Sequence, residues 1–345
     1  MINNKITIQK ALDIANRLFV DLRSPLEYTE AHIPGAVNVP LLENEERAIV
    51  GTIYKRQSSQ LAVDKGLDIV APKLPHIYNA IKEHSHNRKI ILYCWRGGMR
   101  SNSISKILTI LKVEHLLLEG GYKAFRTYVN DYFNNEFNKT IIVLHGLTGV
   151  GKTEILQELK KKGLPAIDLE GLANHRGSVF GAIGLNYRPS QKEFEGLLLM
   201  ECLKYKKFPK IVVECKSQRI GFAMIPVAFF QAMKKNKGVL IYDSIENRVE
   251  RLVNIYVDKN GCENDESIVD ALNILRKHMG NRKINDLLEI LKERKYNDIV
   301  CCLLKDYYDP LYKYPDDASE EYCLCLDNRN KENTVVMLEK LLITE

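Results

Sequence analysis

Cys94 closes the apolar run ILYC and opens the stretch WRGGMRS, so one thiol stands among two arginines, two glycines and a serine. The thiolate is the reactive form of cysteine, and a helix N-terminus, backbone N–H groups and fixed cations all favour it. Arg96 and Arg100 supply the charge, and Gly97 and Gly98 permit a tight curl that aims N–H groups inward. A helix follows from about Ser101. The expected product is a nucleophile in an anion cradle, with Cys94, Arg96 and Arg100 as the catalytic candidates. One more buried thiol is the plain alternative, and the flanking arginines argue against it.

A second stretch, IIVLHGLTGVGKTEIL, fills the pattern G-x-x-x-x-G-K-S/T with Gly146, Gly151, Lys152 and Thr153, and Thr148 and Gly149 lie within the loop. An apolar strand precedes it and a helix follows. In that setting backbone N–H groups wrap a di- or triphosphate, Lys152 neutralises it, and the Thr153 hydroxyl would ligate Mg²⁺. No tightly bound cofactor is expected. The eight cysteines include no C-x-x-C pair and no Cys/His spacing suited to zinc.

Other charged groups are placed to assist. KIVVEC brings a strand to Glu214 and GVLIYD another to Asp243; either acid could position a metal or a water, and a solvated strand end explains each equally well. Arg248 and Arg251, three residues apart on the next helix, could clamp phosphates or simply face solvent. In AIDLEGLANHRGSVFG, a strand end carries Asp168 and Glu170, followed by His175 and Arg176 in a turn. A helix cap needs fewer polar groups, so this loop is expected to face substrate.

These residues need parallel sheets behind them. Strand-like runs LFVDL, KIILYC and HLLLEGG alternate with helical patterns such as SNSISKILTILKV, and after DYFNNEFNK a second series begins with TIIVLHG, LPAIDLE, KIVVEC and GVLIYD. An α/β fold with units at 1–137 and 138–257 is expected, followed by a mainly helical region at 258–345 that breaks at Gly280. At 345 residues, 45% hydrophobic and 27% charged, the chain has room for two or three cores. No run is apolar enough to cross a bilayer, and the N-terminus lacks the apolar core of a secretory signal. The cytoplasm is the expected compartment. A net charge of +6 permits a polyanionic partner without demanding one.

The segment VDLRSPLEYTEAHIPGAVNVP, from Val20 to Pro40, resembles the rhodanese signature, with Ala31 where rhodaneses commonly have glycine. That resemblance implies sulfur or selenium carried on Cys94 as a persulfide or perselenide. Cys94 and Arg100 also satisfy C-x5-R, the pattern of cysteine phosphatases, in which the arginine grips a phosphoryl group while the thiolate attacks phosphorus. The loop fits either chemistry.

Over nearly its whole length the chain resembles the bacterial tRNA 2-selenouridine synthase family. The segments that carry the resemblance are YCWRGGMRSNS, LEGGYKAFRTYV, HGLTGVGKT, DLEGLANHRGSVFG, ECKSQRIGFAMIP and YYDPLYKY, with the rhodanese signature. It implies a rhodanese-like domain fused to a P-loop, nucleotide-kinase-like domain. The implied activity replaces the sulfur of wobble 2-thiouridine by selenium from selenophosphate, through an S-geranyl intermediate made from geranyl diphosphate. The P-loop would then hold that diphosphate, with a nucleotide as the alternative. FAMIPVAFF is a candidate channel for the geranyl chain, although a buried helix is the simpler reading. Arg276, Lys277, Arg282 and Lys283 are candidates for tRNA phosphates, and a solvated helix end explains them nearly as well. A C-x5-R phosphatase or arsenate reductase joined to a kinase-like domain, and a non-catalytic sulfur-carrier module, remain the other readings. The sequence carries no sign of oligomeric state.

Overall fold

The computed structural model describes residues 4–175, 187–214, 217–257 and 265–343. The chain divides into two compact units, one of Met1–Glu136 with Glu195–Leu199, the other of Phe137–Phe194 with Met200–Glu345.

The first unit is built on five parallel strands, β1 (Lys5–Ile6), β2 (Arg17–Asp21), β3 (Val37–Asn38), β4 (Lys89–Tyr93) and β5 (His115–Leu118), in the order β1-β5-β4-β2-β3. Strands covered on both faces read as continuous apolar runs, and LFV and IIL fill the two central ones. Val20 stands opposite Leu92 and Asp21 opposite Tyr93. The chain therefore leaves β2 and β4 at the same sheet edge, which places Arg23 near the start of the thiol loop. One face is sealed by Leu18, Val20, Ile90 and Leu92 against Ile104 and Leu108 of the helix Met99–Ile110. Between β3 and β4 the chain forms helices at Asn44–Arg56, Ser59–Val70 and Leu74–Ser85.

The second unit carries another five parallel strands: β6 (Thr140–His145), β7 (Ala166–Ile167), β8 (Lys210–Glu214), β11 (Val239–Tyr242) and β12 (Leu324–Asp327). Their order is β12-β11-β6-β8-β7. A short antiparallel hairpin, β9 (Arg219–Ile220) and β10 (Ala223–Met224), lies outside this sheet. From β6 the chain runs to one side through β7 and β8 and then crosses to β11. The crevice at such a reversal, outside the strand ends, is where open α/β sheets bind ligands. One sheet face packs Ile142, Leu144, Val212 and Ile241 against Ile155 and Leu159 of the helix Lys152–Lys161 and Leu338 of the helix Lys331–Ile343.

The C-terminal region is mainly helical, as its pattern predicts, with one strand that the pattern does not announce. LCLD forms β12 and pairs Leu240 with Cys325 at the sheet edge. Its helices Asp265–Ile274, Asn281–Lys292 and Tyr296–Leu303 pack a second apolar cluster against Val249 and Leu252 of the helix Ile245–Tyr256, and the helical path breaks at Gly280. Among the described residues, no helix is long and apolar enough to cross a membrane.

Candidate functional site

Cys94 follows β4 directly and is buried, with 3% of its surface exposed. The burial that the flanking arginines argued against is observed. Its Sγ lies 3.2 Å from the hydroxyl of Ser101. The Tyr122 and Lys123 N–H groups donate to the carbonyls of Cys94 and Trp95 at 2.8 and 2.9 Å. Two successive carbonyls are thus drawn toward the turn after β5. Gly121 makes the approach feasible: its φ is +58°, and a Cβ there would lie 2.2 Å from the Cys94 carbonyl oxygen.

Beneath the loop, Asp21 and Arg23 form a buried pair, with Arg23 Nη2 donating to Asp21 Oδ2 at 2.6 Å and to the Ala31 carbonyl at 2.8 Å. The guanidinium lies 4.1 Å from the Tyr122 ring centroid and 5.9 Å from that of Trp95. This pair carries the aromatic floor on which the loop rests. Arg100, expected to hold an anion beside the thiol, is committed elsewhere: Nη1 and Nη2 donate to Glu27 at 2.7 and 3.3 Å. Burial pushes the Glu27 carboxyl up, but Arg100, the Ser24 N–H and Arg47 together hold it below the usual range. Arg96 is exposed and forms no ion pair with a described residue. It is the cation left to meet an anion at this loop.

The phosphate loop between β6 and the helix Lys152–Lys161 has its carbonyls tied down one after another. Lys152 Nζ donates to Gly146 and Leu147 at 2.8 and 3.0 Å. Arg248 Nε donates to Thr148 at 2.8 Å, Arg251 Nη1 to Gly149, and Asn328 Nδ2 to Val150 at 2.8 Å. Five consecutive carbonyls, 146 to 150, therefore have donors, and the loop's N–H groups keep their orientation for an anion. Gly146 admits this path with φ +141°, where a Cβ would meet the Ile241 carbonyl oxygen at 2.1 Å. Arg248 and Arg251 thus grip the loop itself, and Arg251 also lines the cleft above it. Arg248 is 3% exposed and is held in turn by Asp309, at 3.0 Å to Oδ2 and 2.5 Å to Oδ1.

A cleft of about 610 Å³ opens over this loop, lined by Gly146, Thr148, Gly149, Gly151, Lys152 and Thr153. Glu170, Arg219, Arg251, Tyr256, Tyr312 and Tyr314 complete much of its wall. A narrow apolar pocket of about 60 Å³ adjoins it, formed by Ile268, Ile299, Leu303 and Tyr308 among others. Thr148, Leu252 and Tyr256 belong to both. The FAMIPVAFF segment lines neither one. Phe222, Met224 and Val227 face outward while Phe229 is buried in its helix, so this segment is neither a channel nor a wholly buried helix.

The acids expected to assist a metal serve other ends. Asp243 is buried, accepts from the Ser244 N–H and the Asn247 amide at 2.8 Å each, and pairs with Arg251 at 3.1 Å. Glu214 is 1% exposed; its Oε1 accepts the Glu170 N–H at 2.9 Å, while Oε2 has no hydrogen-bond partner. Burial, with Asp168 and Glu170 nearby, pushes Glu214 well above its ordinary value, which favours the neutral form. Neither acid is solvated. Asp168 caps the helix Leu169–Leu172 by accepting the Gly171 N–H at 2.6 Å. Glu170 faces the cleft, and burial raises it to about 7, with Lys152 opposing and Asp168 adding to the rise. His175 is half-buried and lowered by burial and Arg188, which favours the neutral ring. Arg176 lies outside the described residues. Among those residues no three His, Cys, Asp or Glu side chains gather to hold a metal ion. Thr153 is exposed on the cleft wall.

The basic cluster in the tail is partly spent. Arg276 donates to Asn273 and Asn285 at 2.8 Å each, and Lys283 pairs with Asp306 at 2.6 Å. Lys277 and Arg282 are exposed.

Residues 7–128 match the family model for a rhodanese-like domain, and residues 139–340 match that for the tRNA 2-selenouridine synthase AAA domain. The tRNA 2-selenouridine synthase of Pseudomonas syringae pv. syringae (strain B728a) is 34% identical over 88% of this chain and 90% of its own. The chain belongs to the tRNA 2-selenouridine synthase family. Another relative of that name, from Nitrosomonas eutropha, is 36% identical over 72% of this chain and 65% of its own. The solved N-terminal domain of a protein titled ATP/GTP binding protein, from Clostridium difficile 630, is 48% identical over 36% of this chain and 98% of its own, with a TM-score of 0.35. In this member of the tRNA 2-selenouridine synthase family, both the phosphate loop and its holders Arg248, Asp309 and Asn328 fall within the matched 139–340. Asn328 carried no signal in the sequence. YYDPLYKY did stand out, though nothing in it distinguished the tethering Asp309 from the cleft-lining Tyr312 and Tyr314.

Proposed function

We propose that the chain makes 2-selenouridine in tRNA by two reactions, one on each unit. The cleft of the second unit takes geranyl diphosphate. The observation that carries this is the shared wall of Thr148, Leu252 and Tyr256, which joins an anion loop to an apolar pocket. A diphosphate with an apolar tail presents one group to each half, the pocket of about 60 Å³ having room for only part of the chain, whereas a nucleotide leaves the pocket unused. The thiocarbonyl sulfur of 2-thiouridine attacks the first carbon of the chain and diphosphate departs. Loop N–H groups and Lys152 stabilise the charge developing on it. Magnesium, when bound, would supply further charge for the diphosphate, with Thr153 as its protein ligand.

S-alkylation turns a poor leaving group into a good one, which prepares the base for selenium. Selenophosphate carries reduced selenium. Attack of the Cys94 thiolate on phosphorus forms an S–P bond, breaks P–Se and releases hydroselenide without any change of oxidation state. Hydroselenide then adds to C2 of the alkylated base and expels geranyl thiolate, while water returns Cys94 and phosphate. A perselenide on Cys94 would need an oxidant. Arg96 is the cation available to selenophosphate. A nucleoside triphosphate in the cleft is the second reading, favoured by Tyr312 and Tyr314, whose rings could face a base.

The test uses tRNA carrying 2-thiouridine, geranyl diphosphate and selenophosphate, with nucleosides analysed by mass spectrometry. Cys94→Ser is expected to accumulate S-geranyl-2-thiouridine, and Lys152→Ala to leave 2-thiouridine unchanged. Loss of both steps in both variants would sink the division of labour. Protection of the cleft from proteolysis by ATP but not by geranyl diphosphate would favour the second reading.

A further inference from the structure

S-alkylation of 2-thiouridine has a proton to dispose of. If N3 keeps its hydrogen, the alkylated base is a cation; if N3 gives it up, the product is neutral and diphosphate leaves from a less strained complex. Building on the proposal that the cleft performs this alkylation, we infer that Glu170 is the general base that accepts the N3 proton. The π pair of C2=S forms the new C–S bond, and the N3–H pair becomes the N3=C2 bond. The C–O pair leaves with diphosphate, and the proton passes to the Glu170 carboxylate.

The assignment rests first on placement. Glu170 shares the cleft wall with Gly146, Lys152 and Thr153, so a base held over the diphosphate lies between the loop and this carboxyl. Its backbone is fixed from two sides, by its N–H on Glu214 Oε1 at 2.9 Å and by the short helix that Asp168 caps. Among the described residues the remaining charged groups on the wall are Lys152, Glu154, Arg219 and Arg251. Arg251 is held by Glu154 and Asp243, both at 3.1 Å, while Arg219 Nε donates to the Gly221 carbonyl at 2.9 Å. Neither arginine can accept a proton. Asp168 is taken up with its cap, and Glu214 is buried off the cleft wall, its Oε1 accepting the Glu170 N–H. Glu154 is a carboxylate on the same wall, but it is paired with Arg251 and Lys331, so among the described wall residues Glu170 is the acceptor without a cationic partner at ion-pair distance, and burial brings it to about 7, matched to neutral pH.

The experiment follows geranyl transfer to a 2-thiouridine RNA hairpin by the full-length protein across a pH series, with binding of inorganic diphosphate measured alongside. Wild-type rate should rise with pH through about 7 and level off. Glu170→Gln should be slower by about 10²-fold or more at pH 7, lose that rise, and regain rate only at alkaline pH, where N3–H ionises unaided. Glu170→Asp should restore part of the rate, and diphosphate affinity should stay within about twofold in both. A Glu170→Gln enzyme that keeps the wild-type profile, or one that loses diphosphate binding, overturns the role. If the wild-type protein binds diphosphate yet transfers no geranyl group, the reading of the cleft falls, and the base with it.

Discussion

Glu27 serves two structures at once. Its carboxylate takes both Arg100 nitrogens, and it closes the capping box of the helix Pro25–Glu30 by accepting the Ser24 N–H at 3.1 Å. An anion cannot claim Arg100 without displacing that carboxylate, so this arginine orders the loop more than it binds substrate. Because the folded value of Glu27 lies below the ordinary one, its contribution is full above the usual glutamate range and fades as pH falls through the lowered value. Glu27→Gln should therefore cost about 1 kcal/mol near neutral pH, with the difference from wild type closing below about pH 4. Thermal melts of both proteins across a pH series measure this. A gap that stays constant down to pH 3 would show that the carboxylate charge is irrelevant. The Asp21–Arg23 pair beneath is a different case, since removal of one partner from a buried pair strands the other's charge, at about 3–5 kcal/mol.

At the scale of elements, the phosphate loop depends on pieces distant in the chain. Arg248 reaches Asp309 across 61 residues and fixes the Thr148 carbonyl at its other end. Asp309→Asn weakens a charge-assisted pair and lets Arg248 wander. Affinity for inorganic diphosphate should fall by about tenfold, as expected for loss of roughly 1.5 kcal/mol, with Cys94 alkylation unchanged. Equal affinity by calorimetry would remove Asp309 from the site. These links also mark where the sequence stops being legible. LFVDL, KIILYC, TIIVLHG and GVLIYD are recognisable because doubly covered parallel strands are apolar throughout, and the two chemical loops follow directly from them. The helix Asn44–Arg56 buries no side chain and so shows no apolar stripe, while β12 has only four residues. The spacing of Arg248 and Arg251 announced a shared face but not its object. Which carbonyl a guanidinium meets depends on tertiary partners, as does the burial of Cys94 behind the turn at Gly121.

At the scale of the molecule, each unit has its own parallel sheet and apolar core, and each presents its chemistry at the ends of its strands. The proposed reactions need only the tRNA in common. A mixture of Cys94→Ser and Lys152→Ala proteins should then form 2-selenouridine that neither forms alone, since tRNA alkylated by the first can be selenated by the second. Nucleoside analysis of the mixture tests this, and absence of product would mean that the alkylated tRNA never leaves the chain that made it. The tethering of the phosphate loop also has a consequence in time. Asn328, which holds the Val150 carbonyl, follows it by 178 residues, about 10 to 40 s of synthesis at the usual rate of elongation. During that interval the nascent chain already carries the whole loop motif but lacks both Asn328 and, for most of it, Asp309. The loop gains its last tether only as the final strand joins the sheet, so if the cleft binds as proposed, ligand capture would report that a newly made chain has finished folding.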